Sequence, residues 1–433
     1  MTFWRRLVIV SILLLGATFL SFVYTLFTVM ERDKDPDFSG ALPVLKLSLN
    51  DVTLDEIQNG DKEIKYEGNE LEVVNNGEVM ELSNVQIKGR GNSTWYRDKK
   101  PFQIKFKTKV DLFGLGERKK YILLANYLDH SFLRNDAMFK IAEMVGGDYP
   151  PTGKFVELYI DKEYQGLYLL ATKVEIGKNG VDIRDEYAGL FELDTLHTDN
   201  EDCHFSNAGE CLILKDAVFE DDAEKSEKVM ATFVDDFNRL ERYAKAGNFE
   251  KVKRVIDVQS FAEYFLVSEF AVNPDAYVSS FNFYKLSLTD KIHAGPFWDY
   301  DLAFANREWV WFSDENFYSP TETMVWRNTV FSDENKYSDI GKLMYYLIDI
   351  PEFEMEVRRV FQEKLSGRKH DLESHILKQR DYIREAALKD EKKWYEQELF
   401  ANEASYLIEW ISRRYDYMES VYGNGAEYSV DMI

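Results

Sequence analysis

The hydrophobic pattern of this chain changes period midway, and that change restricts the available folds more than any other feature of the sequence. Apolar and polar residues alternate in Val44-Leu45-Lys46-Leu47-Ser48-Leu49, Val85-Gln86-Ile87-Lys88, Phe102-Gln103-Ile104-Lys105-Phe106 and Phe155-Val156-Glu157-Leu158-Tyr159-Ile160. A period of two is the pattern of half-buried strands. One helix is expected among them, near Ser131 to Val145. Farther along, Glu224 to Ala246 and Val258 to Val272 read as amphipathic helices, and Phe281 to Leu288 returns to a strand pattern. Beyond about Tyr337 the chain reads as long charged helices; in the last, Leu407, Trp410, Ile411, Tyr415 and Met418 form a core-facing stripe. The expected fold class is therefore α+β, with a β-rich N-terminal half and a helix-rich C-terminal half. A length of 433 residues with 45% hydrophobic and 15% aromatic content supports a large core and argues against disorder. No internal repeat and no Pro- or Gly-rich linker divides the chain, so one continuous domain is expected over 44–420, after a linker at 31–43 and before a tail at 421–433.

The N-terminus carries a different signal. After a short tail at 1–6, Leu7 to Met30 form 24 uncharged, strongly apolar residues. As a helix these would rise roughly 36 Å, enough to span a bilayer core. The run exceeds the apolar region of a typical cleaved signal peptide, and no small-x-small cleavage site follows it. One transmembrane signal anchor is expected. Arg5 and Arg6 precede the run, which places the tail in the cytoplasm and the main domain outside the cell membrane. The formal net charge of −24 disfavours nonspecific binding to nucleic acid or anionic lipid. A basic partner, or an anionic ligand accompanied by a cation, fits it better. Cys203 and Cys211 are the only cysteines. A small disulfide loop, free thiols and a metal site with His204 are the readings open to them, the metal set being incomplete.

Four segments carry the residue types that chemistry requires. Trp298-Asp299-Tyr300-Asp301 sets two carboxylates two residues apart after a strand-like run. Such a pair suits a hard divalent cation, which takes one or two carboxylates plus phosphate oxygens. In Lys88-Gly89-Arg90-Gly91-Asn92-Ser93-Thr94-Trp95, glycines permit a tight turn whose amides can cradle phosphate, while Arg90, Lys99, Lys100 and Lys105 add positive charge. In Asn126 to Asn135, Asp129 or Ser131 caps the following helix, and Arg134 reaches phosphate or pairs with a carboxylate. Asn273-Pro274-Asp275 sits at a helix-to-strand junction. A carboxylate there can orient a hydroxyl nucleophile and accept its proton, as in kinase chemistry generally. A turn, a cap or a surface loop accounts for each segment taken singly; their joint order is what narrows the reading.

Together the segments resemble the CotH kinase family, named after spore coat protein H. The likeness rests on Arg90-Gly91-Asn92-Ser93-Thr94-Trp95 with Lys100-Pro101, Asp129 with Arg134-Asn135, Gln165-Gly166-Leu167-Tyr168-Leu169-Leu170, Asn273-x-Asp275, and Trp298-Asp299-Tyr300-Asp301. Arg413 and Arg414 in the last helix add to it. The resemblance implies a two-lobed, atypical protein-kinase-like fold with a nucleotide between the lobes. It implies transfer of phosphate from ATP to serine on protein substrates, with Mg²⁺ or Mn²⁺. Asp275 matches the catalytic aspartate, and Asp299 or Asp301 the metal-binding one, with Asn282 as a further metal ligand. Lys105, Arg90 and Arg134 are the candidates for nucleotide phosphate. Three departures stand out. Asn282 lies seven residues beyond Asp275, not the five of the ordinary kinase catalytic loop. Glu175 is the nearest acid after Thr172, where relatives often carry glutamate, and Ala305 stands where they often carry glycine. A noncatalytic envelope or coat scaffold and another nucleotide-dependent transferase are the alternative functions.

Overall fold

The computed structural model describes residues 42–195, 202–219, 222–273, 275–306, 321–322 and 341–424. The apolar run Leu7–Met30, expected to anchor the chain, lies outside the described residues, among which no helix is long and apolar enough to cross a membrane.

The alternating segments form a closed barrel. Its strands are β1 (Val44–Ser48), β2 (Tyr66–Asn75), β3 (Glu78–Gly89), β4 (Phe102–Val110), β5 (Arg118–Leu124), β6 (Gly153–Ile160) and β7 (Glu163–Thr172), in the order β1-β2-β3-β4-β5-β7-β6. A parallel β1–β6 pairing closes it, with Leu45 opposite Leu158. Alternate residues fill the interior, among them Leu45, Leu71, Val85, Ile104, Tyr121, Leu158 and Leu170. Along β7 the burial is continuous, because Leu167, Leu169 and Ala171 pack outward into the main core while Tyr168 and Leu170 point into the barrel. A strand covered on both faces loses its alternation. A short helix, α1 (Leu54–Asn59), follows β1, and α2 (Arg134–Val145) lies between β5 and β6. Leu42 and Pro43, assigned to the linker on sequence, are buried, and the Pro43 carbonyl accepts from the Glu157 amide at 2.9 Å.

The second half is not purely helical. A five-stranded sheet in the order β12-β11-β8-β10-β9 joins β8 (Gly189–Leu193), β9 (His204–Phe205), β10 (Cys211–Ala217), β11 (Phe281–Lys285) and β12 (His293–Ala294). Cys203 and Cys211 form a disulfide at its edge, with Cα atoms 5.1 Å apart. The helices are α3 (Ala223–Lys245), α4 (Phe249–Val255), α5 (Val258–Ala271), α6 (Leu343–Ile348), α7 (Pro351–Lys364), α8 (Lys369–Trp394) and α9 (Phe400–Tyr422). Phe233 of α3 stacks on Phe191 of β8 at 3.8 Å between ring centroids, fixing helix to sheet. The fold is thus mixed α+β, with a barrel first and a helix-rich part built around a sheet second.

Candidate active site

A cavity of about 500 Å³ lies where barrel, second sheet and several loops meet. That is the size range of a small-molecule or cofactor site. One wall begins at the turn after β3. Gly91 adopts φ +83°, and a Cβ there would strike the Thr94 hydroxyl, so glycine alone fits. The Lys62 ammonium holds this turn through the Gly91 carbonyl at 2.8 Å and the Asn92 side-chain oxygen at 2.9 Å. The turn leads into a short 3₁₀ helix, Ser93–Tyr96. Gly91, Asn92, Ser93 and Thr94 all line the cavity, with Lys88, Gln103, Ile122 and Leu124 from the barrel strands beside them.

The opposite wall is acidic. At the end of α5, Val272 turns left-handed with φ +46°, and the chain leaves toward Asp275. The Asp275 carbonyl accepts from the amides of Val278 and Ser279, each at 3.0 Å, closing the turn that Asp275 heads. After β12 the chain turns at Asp299, whose φ is +70°. Tyr300 is fully buried and its hydroxyl meets Ser268 of α5 at 3.0 Å. The carboxylates on either side of it, Asp299 and Asp301, both line the cavity. Burial pushes the Asp301 carboxyl well above the usual range, and the negative charges of Asp299, Asp275 and Asp129 push it the same way. The Ser280 hydroxyl donates to Asp299 at 3.2 Å.

Arg90 faces this acidic wall. Its guanidinium lies 5.5 Å from the Trp298 ring centroid. Burial lowers its pKa from the ordinary value, while the charges of Asp299, Asp301 and Glu192 oppose that loss. Of the residues expected from sequence, Arg90, Asp275, Asp299 and Asp301 therefore line one cavity.

Lys105, Arg134 and Asn282 are placed outside that lining. Lys105 sits two residues beyond the lining Gln103 on β4 and pairs in register with Lys120. Arg134 is fully buried; its guanidinium binds Asp129 and donates to the Ala303 carbonyl at 3.1 Å. It clamps the loop after Asp301 onto the start of α2. Asn306 does the same from the other side, donating to the carbonyls of Asp301 at 2.7 Å and Leu128 at 2.9 Å. The Asn282 amide donates to the Pro296 carbonyl at 2.9 Å, and its oxygen accepts from Lys215 at 2.9 Å. Glu175, the nearest acid after Thr172, pairs with Lys120 at 3.3 Å.

The structure adds residues that sequence reasoning did not single out. Glu192 on β8 lines the cavity and pairs with Lys215 of β10 at 2.8 Å. Asp194 lines it too and accepts from the Ser279 hydroxyl at 2.8 Å. Lys173, just after β7, lines it from the barrel side; burial pulls its pKa down to about 8, and neighbouring Lys120 adds to the shift. The available signal was one charge inside an otherwise apolar strand, Gly-Leu-Phe-Glu-Leu at 189–193, since a buried charge has to be paired. A family model described as CotH kinase protein matches residues 87–418. No curated protein matches the chain. Because the family match takes in both walls of the cavity and most of the sequence, the chain belongs to the CotH kinase protein family.

Proposed function

We propose that this protein is a membrane-anchored kinase that transfers the γ-phosphate of ATP to serine hydroxyls of a protein substrate, with Mg²⁺ or Mn²⁺. The observation that carries the reading is the meeting of Asp275, Asp299 and Asp301 in one cavity with Arg90 across from them. A barrel and a helix-rich part flank that cavity and are joined by residues 173–188, which supports a two-lobed, kinase-like arrangement. The apolar side chains Ile122, Leu124, Val174 and Leu302 line the same cavity as Arg90, so they would take a nucleotide base and Arg90 its phosphates.

The donor chemistry fits a hard cation. Burial first, and then the charges of Asp299, Asp275 and Asp129, raise the Asp301 pKa, so added positive charge is favourable there. Among the described residues no three Asp, Glu, His or Cys side chains close into a protein-only metal cage. A Mg²⁺ ion completed by phosphate oxygens and water needs none. Asp299 and Asp301 would hold it, and its role when bound is to neutralise phosphate charge. Asp275 orients the serine hydroxyl and accepts its proton, while the rest of the catalysis is positioning and electrostatics. Arg134 and Asn306 act through Asp301 by fixing the loop that carries it. The apolar run at 7–30 supports a single-pass anchor. The Cys203–Cys211 disulfide suits a domain outside the cytoplasm.

The test is a mass-resolved assay of the full-length chain in nonionic detergent, with ATP, Mg²⁺ or Mn²⁺ and a serine peptide. One added phosphate is expected, absent in Asp301→Ala. Asp275→Ala should lower transfer at least ~100-fold and leave nucleotide binding intact. An added nucleotide would indicate nucleotidyl transfer instead. No modification together with no ATP binding would indicate a scaffold.

A further inference from the structure

The protein is strongly acidic overall, with a net charge of −24, yet the barrel surface beside the cavity is basic. Lys105 of β4 stands opposite Lys120 of β5 in register, and the Tyr121–Thr172 pair brings Lys173 alongside them. Lys107 continues the row along β4 and is exposed. Only Lys120 of this row has an ion pair among the described residues, to Glu175. At Lys173 the row meets a second cavity of about 380 Å³, which shares Lys173 and Val174 with the first. Arg118, Lys173 and Lys178 line it against one carboxylate, Glu175, and Pro150, Pro151 and Pro296 form apolar walls. Pro296 lies three residues before Asp299, so this groove opens beside the acidic wall of the first cavity. Like charges held this close repel one another, and the low pKa of Lys173, about 8, reflects burial first and Lys120 next. Glu175 and Asp216 oppose that shift without cancelling it, so a further anion is favourable there.

We infer that the 380 Å³ groove and the lysine row beside it dock an acidic segment of the acceptor protein, leading its serine into the first cavity. The inference rests on the kinase reading for what happens to the serine, but the docking itself does not depend on turnover. It also reverses the expectation drawn from whole-chain charge, which favoured basic acceptors. Docking depends on the charge at the groove, because exposed charges more than about 10 Å away are largely screened. A concave groove continuous with the transfer site favours a peptide over a flat lipid surface.

The test compares fluorescent serine peptides flanked by Glu and Asp, by neutral residues, or by Lys and Arg, bound to the full-length chain in nonionic detergent without nucleotide. The acidic peptide should bind at least tenfold tighter than the other two, with an affinity that falls as salt rises. Lys107→Glu/Lys178→Glu should remove most of that preference and leave binding of the neutral peptide unchanged. Both positions are exposed, so the double variant is expected to fold, and an unchanged melting temperature checks this. Where the acidic peptide is also phosphorylated, the same variant should raise KM more than it lowers kcat. A chain that binds the acidic peptide but phosphorylates nothing keeps the docking inference and refutes the kinase reading. Equal binding of the three peptides would overturn the inference. So would loss, in the variant, of binding to phosphatidylglycerol-containing mixed micelles with no peptide preference in the parent, which would make the row a membrane contact.

Discussion

Tyr300 shows how one side chain can aim two others. It is anchored in the core through Ser268, and Asp299 and Asp301 on either side of it both line the cavity. A second buried acid, Glu263 on α5, sits in the core rather than in the active site. Burial raises its pKa from 4.5 to about 7, with Gln259 donating to the carboxylate at 2.8 Å and opposing the shift. The unfolded chain releases this proton first, so its contribution to stability is full below about pH 4.5 and is lost as pH rises to about 7. A shift of that size corresponds to something on the order of 3 kcal/mol. Glu263→Gln should therefore match the parent near pH 4.5 and be more stable by up to that amount at pH 8. Denaturant midpoints at the two pH values measure it; an equal difference at both would refute the assignment.

At the level of elements, the segment carrying Asn273 and Asp275 depends on how α5 ends. Arg414 of α9 is fully buried beneath that end. Its guanidinium donates to the carbonyls of Glu269, Phe270 at 3.3 Å and Thr321 at 3.0 Å. The last carbonyls of a helix lack partners within the helix, and a cation there also meets the negative end of the dipole. Replacing Arg414 by Leu removes all three bonds and leaves the Phe270 carbonyl without its guanidinium donor, while Glu269 keeps only the Val272 amide, at a cost of about 2–3 kcal/mol. Transfer activity should fall with it, because α5 positions Asp275. Arg413 is exposed and, among the described residues, bonded to Glu409 one turn away, so Arg413→Ala should change stability by about 0.5 kcal/mol or less. Thermal melts and transfer rates of the two neighbours separate the roles. Adjacent arginines look alike in sequence, and only the packing of α9 on α5 tells them apart.

Across the whole molecule, the barrel is tied to the C-terminal helices by a buried ion pair. Lys99, ahead of β4, binds Asp390 of α8 at 2.6 Å across 291 residues of sequence, and neither side chain is exposed. Asp390 also accepts from the Leu167 amide, and Lys99 donates to the Leu167 carbonyl, both at 2.6 Å. Gly166 lies against the pair at φ +127°, where a Cβ would strike the Asp390 carboxylate. Asp390→Ala would strand a buried ammonium and should cost about 3–5 kcal/mol. The double variant Lys99→Met/Asp390→Leu should recover much of that loss, since neither charge remains. Equal losses in the single and double variants would mean that packing, not the pairing, holds the halves together.

Strands β1, β3 and β4 and helices α3 and α9 were legible because each has one face in the core and one nearer water, which writes period two or period 3.6 into the residues, whereas β6, α2 and α5, also expected from sequence, are buried nearly all round. The second sheet was legible only at β11. Its strands β8 and β10 are short, and partners far along the chain cover them, so the pattern carries little periodicity. Asp275, Asp299, Asp301 and Arg90 could be picked from sequence as chemistry-bearing types in turns. Lys173 and Lys215 could not, and Glu192 showed only as a lone charge in an apolar strand, because what brings them to the cavity is strand pairing between residues distant in sequence. Arg134 and Asn282 have the right chemistry for a site, and tertiary structure spends it on holding loops. A residue's type limits what it can bind, and local periodicity decides which element it joins. Whether its side chain meets a ligand, a carbonyl or another charge is decided by which element packs over it, and that partner lies elsewhere in the chain.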